Sequence, residues 1–227
     1  MYTLYIGNKN YSSWSLRPWV LMSELDLAFH EELVPFAEGG SWEQFRRFSP
    51  SGLVPCLVDG ERAVWDSLAI AEYLAERHPG VWPEDAAARA WARCAAAEMH
   101  AGFSALRNLC PMNCALRVKL RDSDAGLQRD LARLAELWGE GLARFGGPFL
   151  AGATFTAVDA FYAPVAFRLQ TYSLSMDAPA DAYAQHLLAL PAMQRWYAAA
   201  IAEPWVDAAH EEEAAQIGEI VANYRVE

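Results

Sequence analysis

The stretch Tyr11-Ser12-Ser13-Trp14-Ser15-Leu16-Arg17-Pro18 decides the fold. A short apolar segment precedes it, Tyr2-Thr3-Leu4-Tyr5-Ile6, closed by Gly7-Asn8. An apolar-periodic segment follows, Trp19-Val20-Leu21-Met22 to Leu25. That order reads as strand, polar loop, helix. Hydroxyls then stand just ahead of a helix start, where unpaired N–H groups and the helix dipole favour an anion. Ser15 is the expected N-cap, which puts Pro18 in the first turn, where a missing N–H costs little. Taken alone, this is a Ser-rich capped helix entry. The chain downstream gives it another meaning.

Outward from that loop, residues 28–34 read as a second strand, and Pro35, Gly39 and Gly40 mark a loop. Trp42 to Phe48 is a short helix candidate, ended by Ser49-Pro50-Ser51-Gly52. Pro55-Cys56-Leu57-Val58 and Ala63-Val64-Trp65 flank Asp59-Gly60, a strong hairpin signal. Asp66-Ser67 caps an amphipathic helix from Leu68 to His78. The expected unit, residues 1–79, is a compact α/β domain. Pro79-Gly80-Val81-Trp82-Pro83 reads as a linker. Beyond it Ala dominates and β-branched residues thin out, so 86–227 is expected to be all helical. The helices expected there are 86–109, 124–145, one starting at Thr156, 191–202 and 206–220. Glu211-Glu212-Glu213 reads as a solvated helix face.

At 227 residues the chain is long enough for a full core. Its formal charge of -11 has no compensating Lys/Arg cluster, so neither nucleic acid nor an anionic membrane is an expected partner. No apolar run approaches the ~20 residues of a membrane span. The N-terminus lacks the basic and apolar regions of a signal peptide. Cys56, Cys94, Cys110 and Cys114 have neither disulfide-framework nor Cys-x-x-Cys spacing, which suits reduced thiols in a cytoplasmic location, and no metal site is expected.

Three motifs carry chemistry. Val54-Pro55 opens a strand, where a cis X-Pro bond would turn the neighbouring backbone outward for an extended peptide-like ligand. Asp66-Ser67 stands at a helix N-terminus directly after a strand. The hydroxyl and free N–H groups suit a carboxylate, and the Asp suits an ammonium. Thr156 and Asp159 have capping-box spacing inside Gly152 to Asp159, a structural feature.

Together, in this order, these residues resemble the glutathione S-transferase family over almost the whole chain. Ser12-Ser13-Trp14-Ser15-Leu16-Arg17 is similar to the Ser-type loop of its zeta class, with Trp14 where that class usually has Cys. The resemblance implies a thioredoxin-like N-terminal domain that binds glutathione, an all-α C-terminal bundle that lines an electrophile pocket, and a homodimer. It implies that Val54 and Pro55 present backbone to the cysteinyl part of glutathione. Asp66 and Ser67 would hold its γ-glutamyl end, and Ser12 or Ser13 would donate to its sulfur. Tyr5 and Tyr11 are rival donors. Trp14 with Met99, Phe103 and Arg107 would line the electrophile pocket. There Glu98, His100 and Arg107 read either as a site for a carboxylated substrate or as solvated charges around a Met/Phe core. The implied activity is conjugation of glutathione, as cosubstrate, to a small electrophile. The alternatives are a zeta-like isomerase or dehalogenase, and a glutathione-binding ligand carrier without turnover.

Overall fold

The computed structural model describes residues 1–122 and 124–226. Of the expected second domain, Ser123 and Glu227 therefore lie outside the described residues.

The first unit alternates as the sequence suggests: β1 (Tyr2–Ile6), α1 (Ser13–Glu24), β2 (Phe29–Leu33), α2 (Trp42–Phe45), β3 (Cys56–Asp59), β4 (Arg62–Trp65) and α3 (Ser67–Ala75). Its sheet has the order β2-β1-β3-β4, with β2 parallel to β1 and β3 antiparallel to it. Leu4, Ile6 and Leu57 turn their side chains inward to meet Leu16, Val20, Ile70 and Leu74, all fully buried. The alternation of strand residues and the helical spacing of α1 and α3 thus build one apolar layer between sheet and helices. The hairpin forms at the Asp-Gly signal, with Asp59 opposite Arg62.

The second unit contains α4 (Ala86–Ala101), α5 (Ser104–Leu109), β5 (Leu116–Leu120), α6 (Ala125–Phe145), α7 (Ala157–Tyr172), α8 (Ala178–Ala189), α9 (Pro191–Ile201), α10 (Ala208–Ile217) and β6 (Gly218–Asn223). Helix α7 runs through its centre and is buried almost throughout. It also packs on α1, so the two units share one core.

Three expectations about elements are corrected. The helix expected over 86–109 breaks: a Cβ on Gly102 would meet the Glu98 carbonyl oxygen at 2.7 Å, and Phe103 adopts left-handed φ 55°, ψ 43°. The helix expected over 206–220 ends at Ile217, and its last residues pass into β6, which pairs antiparallel with β5. Gly218 permits this, because a Cβ there would meet Val118 Cγ1 at 2.4 Å. The helical unit therefore carries one two-stranded sheet. The linker is not free either: Val81 is fully buried, and its carbonyl accepts from Ala157 N at 2.8 Å.

The start of α7 is held by a buried carboxylate. Asp159 Oδ2 accepts from Thr156 N at 2.9 Å and from Thr156 Oγ1 at 3.3 Å. Its Oδ1 accepts from Leu150 N at 3.0 Å and from Tyr183 Oη at 2.7 Å. Burial pushes this carboxyl up, and the hydrogen bonds oppose the shift. The capping box is therefore also the joint between α7, α8 and the turn before them. Thr156→Ala is expected to cost about 1 kcal/mol. Asp159→Ala strands the Leu150, Thr156 and Tyr183 donors and is expected to cost about 3 kcal/mol or more. Urea unfolding of both variants checks the order; equal losses would reduce Asp159 to a simple cap partner.

Candidate functional site

The Ser-rich loop leaves β1 and enters α1, and its details differ from the sequence reading. The N-cap is Ser12, whose side chain accepts from Ser15 N at 3.4 Å. Ser15 is inside the first turn and fully buried; its hydroxyl accepts from Gly7 N at 3.1 Å and from Ser12 Oγ at 2.7 Å. A loop with three serines offers several caps, and burial of Ser15 against β1 selects the earlier one. Pro18 consequently lies in the second turn, where it cannot donate to the carbonyl of Trp14, four residues back.

Residues 8–12 are themselves buried, and the second unit satisfies their polar groups. Glu203 accepts from Lys9 N at 2.5 Å and Asn10 N at 3.3 Å. Trp196 Nε1 donates to Lys9 O at 2.9 Å, and Asn10 Nδ2 donates to Asn113 Oδ1 at 3.0 Å. Tyr11 turns away from the α1 N-terminus. Its hydroxyl donates to Glu211 at 2.7 Å and accepts from Arg225, and burial with Glu211 pushes its pKa up to about 12. Glu211 thus leaves the solvated face expected of the acidic run. Tyr5 stacks on Phe48 with ring centroids 4.2 Å apart and lines neither lobe of the cleft described next.

The cleft has two lobes that meet at Trp14, Leu53 and Val54. The first, about 450 Å³, adds Ser51, Pro55, Trp65, Asp66 and Ser67. The Val54–Pro55 bond is cis, and Val54 precedes the ladder of β3, which begins at Cys56. Asp66 has φ 76°, a conformation costing a non-glycine residue on the order of 1–3 kcal/mol. Its carboxylate caps α3 through Leu68 N at 2.8 Å and Ala69 N at 3.4 Å. Ser67, buried, accepts from Arg17 Nη1 at 3.4 Å. Arg17 is 2% exposed, and its Nε has no partner. Burial, reinforced by Arg168 and Arg107, lowers Arg17 to about 9, which leaves it cationic at neutral pH.

The second lobe, about 320 Å³, is lined by Tyr11, Ser12, Ser13, Phe36, Phe45, Met112, Arg107, Arg168, His210 and Glu213, among others. Trp14 divides the lobes. Arg17 Cζ lies 4.1 Å from its ring centroid and Arg107 Cζ 4.7 Å, while His100 meets it edge-on at 5.2 Å. These are cation–π distances. Met99 and Phe103, expected in this pocket, belong to the core instead and line neither lobe; Phe103 turns inward at the helix break and meets Tyr162 edge-on. Of the Glu98-His100-Arg107 cluster, Glu98 turns away and pairs with Arg133 at 2.7 Å, while Arg107 Nη1 donates to His100 O at 3.2 Å and the His100 ring faces Asp66 at 3.4 Å. Sequence reasoning missed Arg168 and His210. Arg168 carried a signal, a lone cation in the otherwise apolar run Ala160–Leu169. His210, in a Glu-rich segment, carried none.

The family model "Glutathione S-transferase, N-terminal domain" matches residues 11–77, and "Glutathione S-transferase, C-terminal domain" matches 115–199. A dichloromethane dehalogenase of Methylorubrum extorquens is 46% identical over 61 residues, 26% of this chain and 21% of that protein. The matched stretch is thus about a fifth of that relative's length. A protein named "Probable maleylacetoacetate isomerase" of Vibrio cholerae is 29% identical over 192 residues, 80% of this chain and 89% of that one. A theta class glutathione S-transferase from Xanthomonas axonopodis pv. citri, solved with glutathione bound, superposes with a TM-score of 0.64 at 25% identity, covering 86% of this chain and 95% of that one.

His100 joins the two units electrostatically. Burial lowers its pKa, Arg17 and Arg107 add to that, and Asp66 opposes. The folded state thus favours neutral imidazole. Its contribution to stability is complete above the ordinary value near 6.5 and is lost as pH falls toward the folded value. His100→Gln is expected to flatten the fall in melting temperature between about pH 7 and pH 5. An acid limb unchanged from the parent would place that proton uptake elsewhere.

Proposed function

We infer the function from a fixed premise: this chain belongs to the glutathione S-transferase family. We propose that it binds glutathione in the first lobe, activates its thiol at the α1 N-terminus, and directs it at an electrophile in the second lobe. One observation carries this reading. The first lobe offers an amino-acid zwitterion the Asp66 carboxylate on its wall and, behind Ser67, the buried Arg17 cation, and it opens at Trp14 into a second cavity beside the serine loop.

The fit runs from the γ-glutamyl end. Asp66 suits the ammonium. Ser67, at the N-terminus of α3, and the buried Arg17 behind it suit the α-carboxylate. An arginine so buried, with an unpartnered Nε, gains from an arriving anion. The Val54 backbone, outside the ladder, is left for the cysteinyl residue in the manner of strand addition. The sulfur then falls near Ser12, Ser13 and the α1 N-terminus. A free thiol has a pKa near ~8.5, and lowering it by about two units requires roughly 2.7 kcal/mol of preference for the anion. A hydroxyl donor, a helix N-terminus and nearby guanidinium groups supply energy of that order. Among the described residues no His or Asp hydrogen-bonds to either serine to activate it as a nucleophile, so the hydroxyl acts as a hydrogen-bond donor to sulfur.

The second lobe favours a small electrophile with an apolar part and a carboxylate. Phe36, Phe45 and Met112 supply the first preference, and Arg107 supplies the second. The cationic lining also supports a second reading, glutathione-dependent isomerisation of an acidic unsaturated substrate, more than dehalogenation of an uncharged one. Replacement of the zeta-class Cys by Trp14 weighs against it. The apolar hollow over Ala63, Val64, Trp65, Leu68 and Ala69, with Trp65 45% exposed, supports a homodimer. No described helix is long and apolar enough to cross a membrane.

Asp66 separates binding from stability. Asp66→Gly removes the ammonium partner and the cap but relieves the positive φ, so unfolding free energy is expected to stay within about 1 kcal/mol of the parent. Glutathione affinity by calorimetry is expected to fall about tenfold or more. Affinity equal to the parent's would place the γ-glutamyl end elsewhere. Turnover is tested with an aromatic electrophile and with maleylacetoacetate after retention on immobilised glutathione. Binding without turnover of either would favour the ligand-carrier reading.

A further inference from the structure

Ser12 and Ser13 are not equivalent in their hydrogen bonding. Ser12 is 6% exposed and doubly committed, as the α1 cap and as the donor to Ser15 Oγ. Ser13 is half-buried at the mouth of the second lobe. Its oxygen accepts from Arg168 Nη2 at 3.3 Å, and its own hydrogen has no acceptor among the described residues. A hydroxyl whose oxygen receives a cationic donor presents its hydrogen outward and is polarised as a donor.

Arg168 is built into the middle of α7 and is 4% exposed. Its Nε donates to Cys110 O at 2.8 Å, and its Nη1 to Pro164 O at 3.4 Å. Among the described residues it has no carboxylate partner. The groups facing it are the Arg107 cation of α5, the Arg17 cation of α1, the Cys110 and Cys114 thiols, both held neutral by burial, and the Tyr172 hydroxyl of its own helix. Glu213 of α10 lines the same lobe. A guanidinium in this position, anchored by carbonyls and lacking an anion, awaits negative charge from the cavity.

We propose that Arg168 is a positioning residue for thiol activation: it fixes Ser13 as the hydrogen-bond donor to the glutathione sulfur and supplies the cation that faces the thiolate. The thiol S–H bond breaks, its proton leaves to water, and the electron pair stays on sulfur. Ser13 keeps its own proton and shares it with the anion in a hydrogen bond. The sulfur site is thus completed by the helical unit, and Ser12 serves the helix. This inference rests on the glutathione reading given above.

The test is thiolate absorbance against pH for enzyme-bound glutathione in the parent, Ser12→Ala, Ser13→Ala, Arg168→Lys and Arg168→Met, with glutathione affinity measured at acid pH and folding checked by thermal melting. Ser13→Ala and Arg168→Met are expected to raise the titration by about one pH unit, tenfold in thiolate fraction at a given pH, with acid-pH affinity unchanged. Arg168→Lys is expected to recover part of that shift. The Ser13→Ala, Arg168→Met double variant is expected to shift no further than the larger single. A shift in Ser12→Ala alone overturns the proposal. So does an unmoved titration in Arg168→Met that raises only the KM of a carboxylated unsaturated ketone relative to an uncharged aromatic electrophile, for then the cation serves the electrophile. If Arg168→Met does not fold, Ser13→Ala and Arg168→Lys decide. A parent that fails to bind glutathione would instead remove the reading beneath.

Discussion

A buried loop must find partners for its amides: within residues 8–12 those of Tyr11 and Ser12 return to Asn8 O, while those of Lys9 and Asn10 find theirs across the domain boundary. They belong to no helix or strand, yet Asn8, Asn10 and Ser12 are almost fully inaccessible. An unpaired buried donor costs on the order of 1–3 kcal/mol, so a loop of this kind stands only if acceptors are brought to it. Glu203 supplies the largest share and is buried itself; burial raises its carboxyl, and the amides of Lys9 and Asn10 pull it back. Asn113 Oδ1 accepts from the Asn10 side chain, and Trp196 Nε1 donates to the Lys9 carbonyl. Domain packing and the geometry of the serine loop are therefore one interaction. The second unit does not simply add a wall to a finished first unit.

Much of this was legible in the chain because it was local. The Asp59-Gly60 turn, the Asp66-Ser67 helix start and the Thr156–Asp159 box are set by residues within a few positions of one another, so their chemistry can be read directly. What escaped the sequence depends on distance. Ser12 rather than Ser15 caps α1 because β1 buries Ser15, and only the packed sheet decides that. The turn of Phe103 into the core at the helix break is set by Tyr162 on α7, and β6 needs a partner about a hundred residues earlier. Met99 and Phe103 have the composition of a pocket and the burial of a core. Arg168 was visible as an oddity in an apolar helix, but its meaning lies in the Ser13 hydroxyl, 155 positions away in the chain.

Charge is distributed against the average. The chain carries a formal -11, yet Arg17, Arg107 and Arg168 converge on one cleft, with Trp14 between the first two. Their mutual repulsion is part of what lowers Arg17 and Arg168. Low-dielectric walls concentrate such a field, so a surrounding negative surface and a positive interior select for anions that enter the cleft over anions that merely approach the protein. Aromatic faces spread the cationic charge where carboxylates would cancel it, which keeps the field available to a ligand.

The tie between Tyr11, Glu211 and Arg225 bears on how the molecule is made. Synthesis runs from the N-terminus at about 5–20 residues per second, so the serine loop leaves the ribosome well before the residues that complete it. Glu203, Glu211 and Arg225 follow about two hundred residues later, on the order of ten seconds or more afterwards. Through that interval Glu203 and Glu211 are missing as acceptors for the Lys9 and Asn10 amides and for the Tyr11 hydroxyl. The serine loop therefore reaches its packed geometry only once the segment from Glu203 to Arg225 has been made, which ties the shape of the candidate site to residues about two hundred positions downstream.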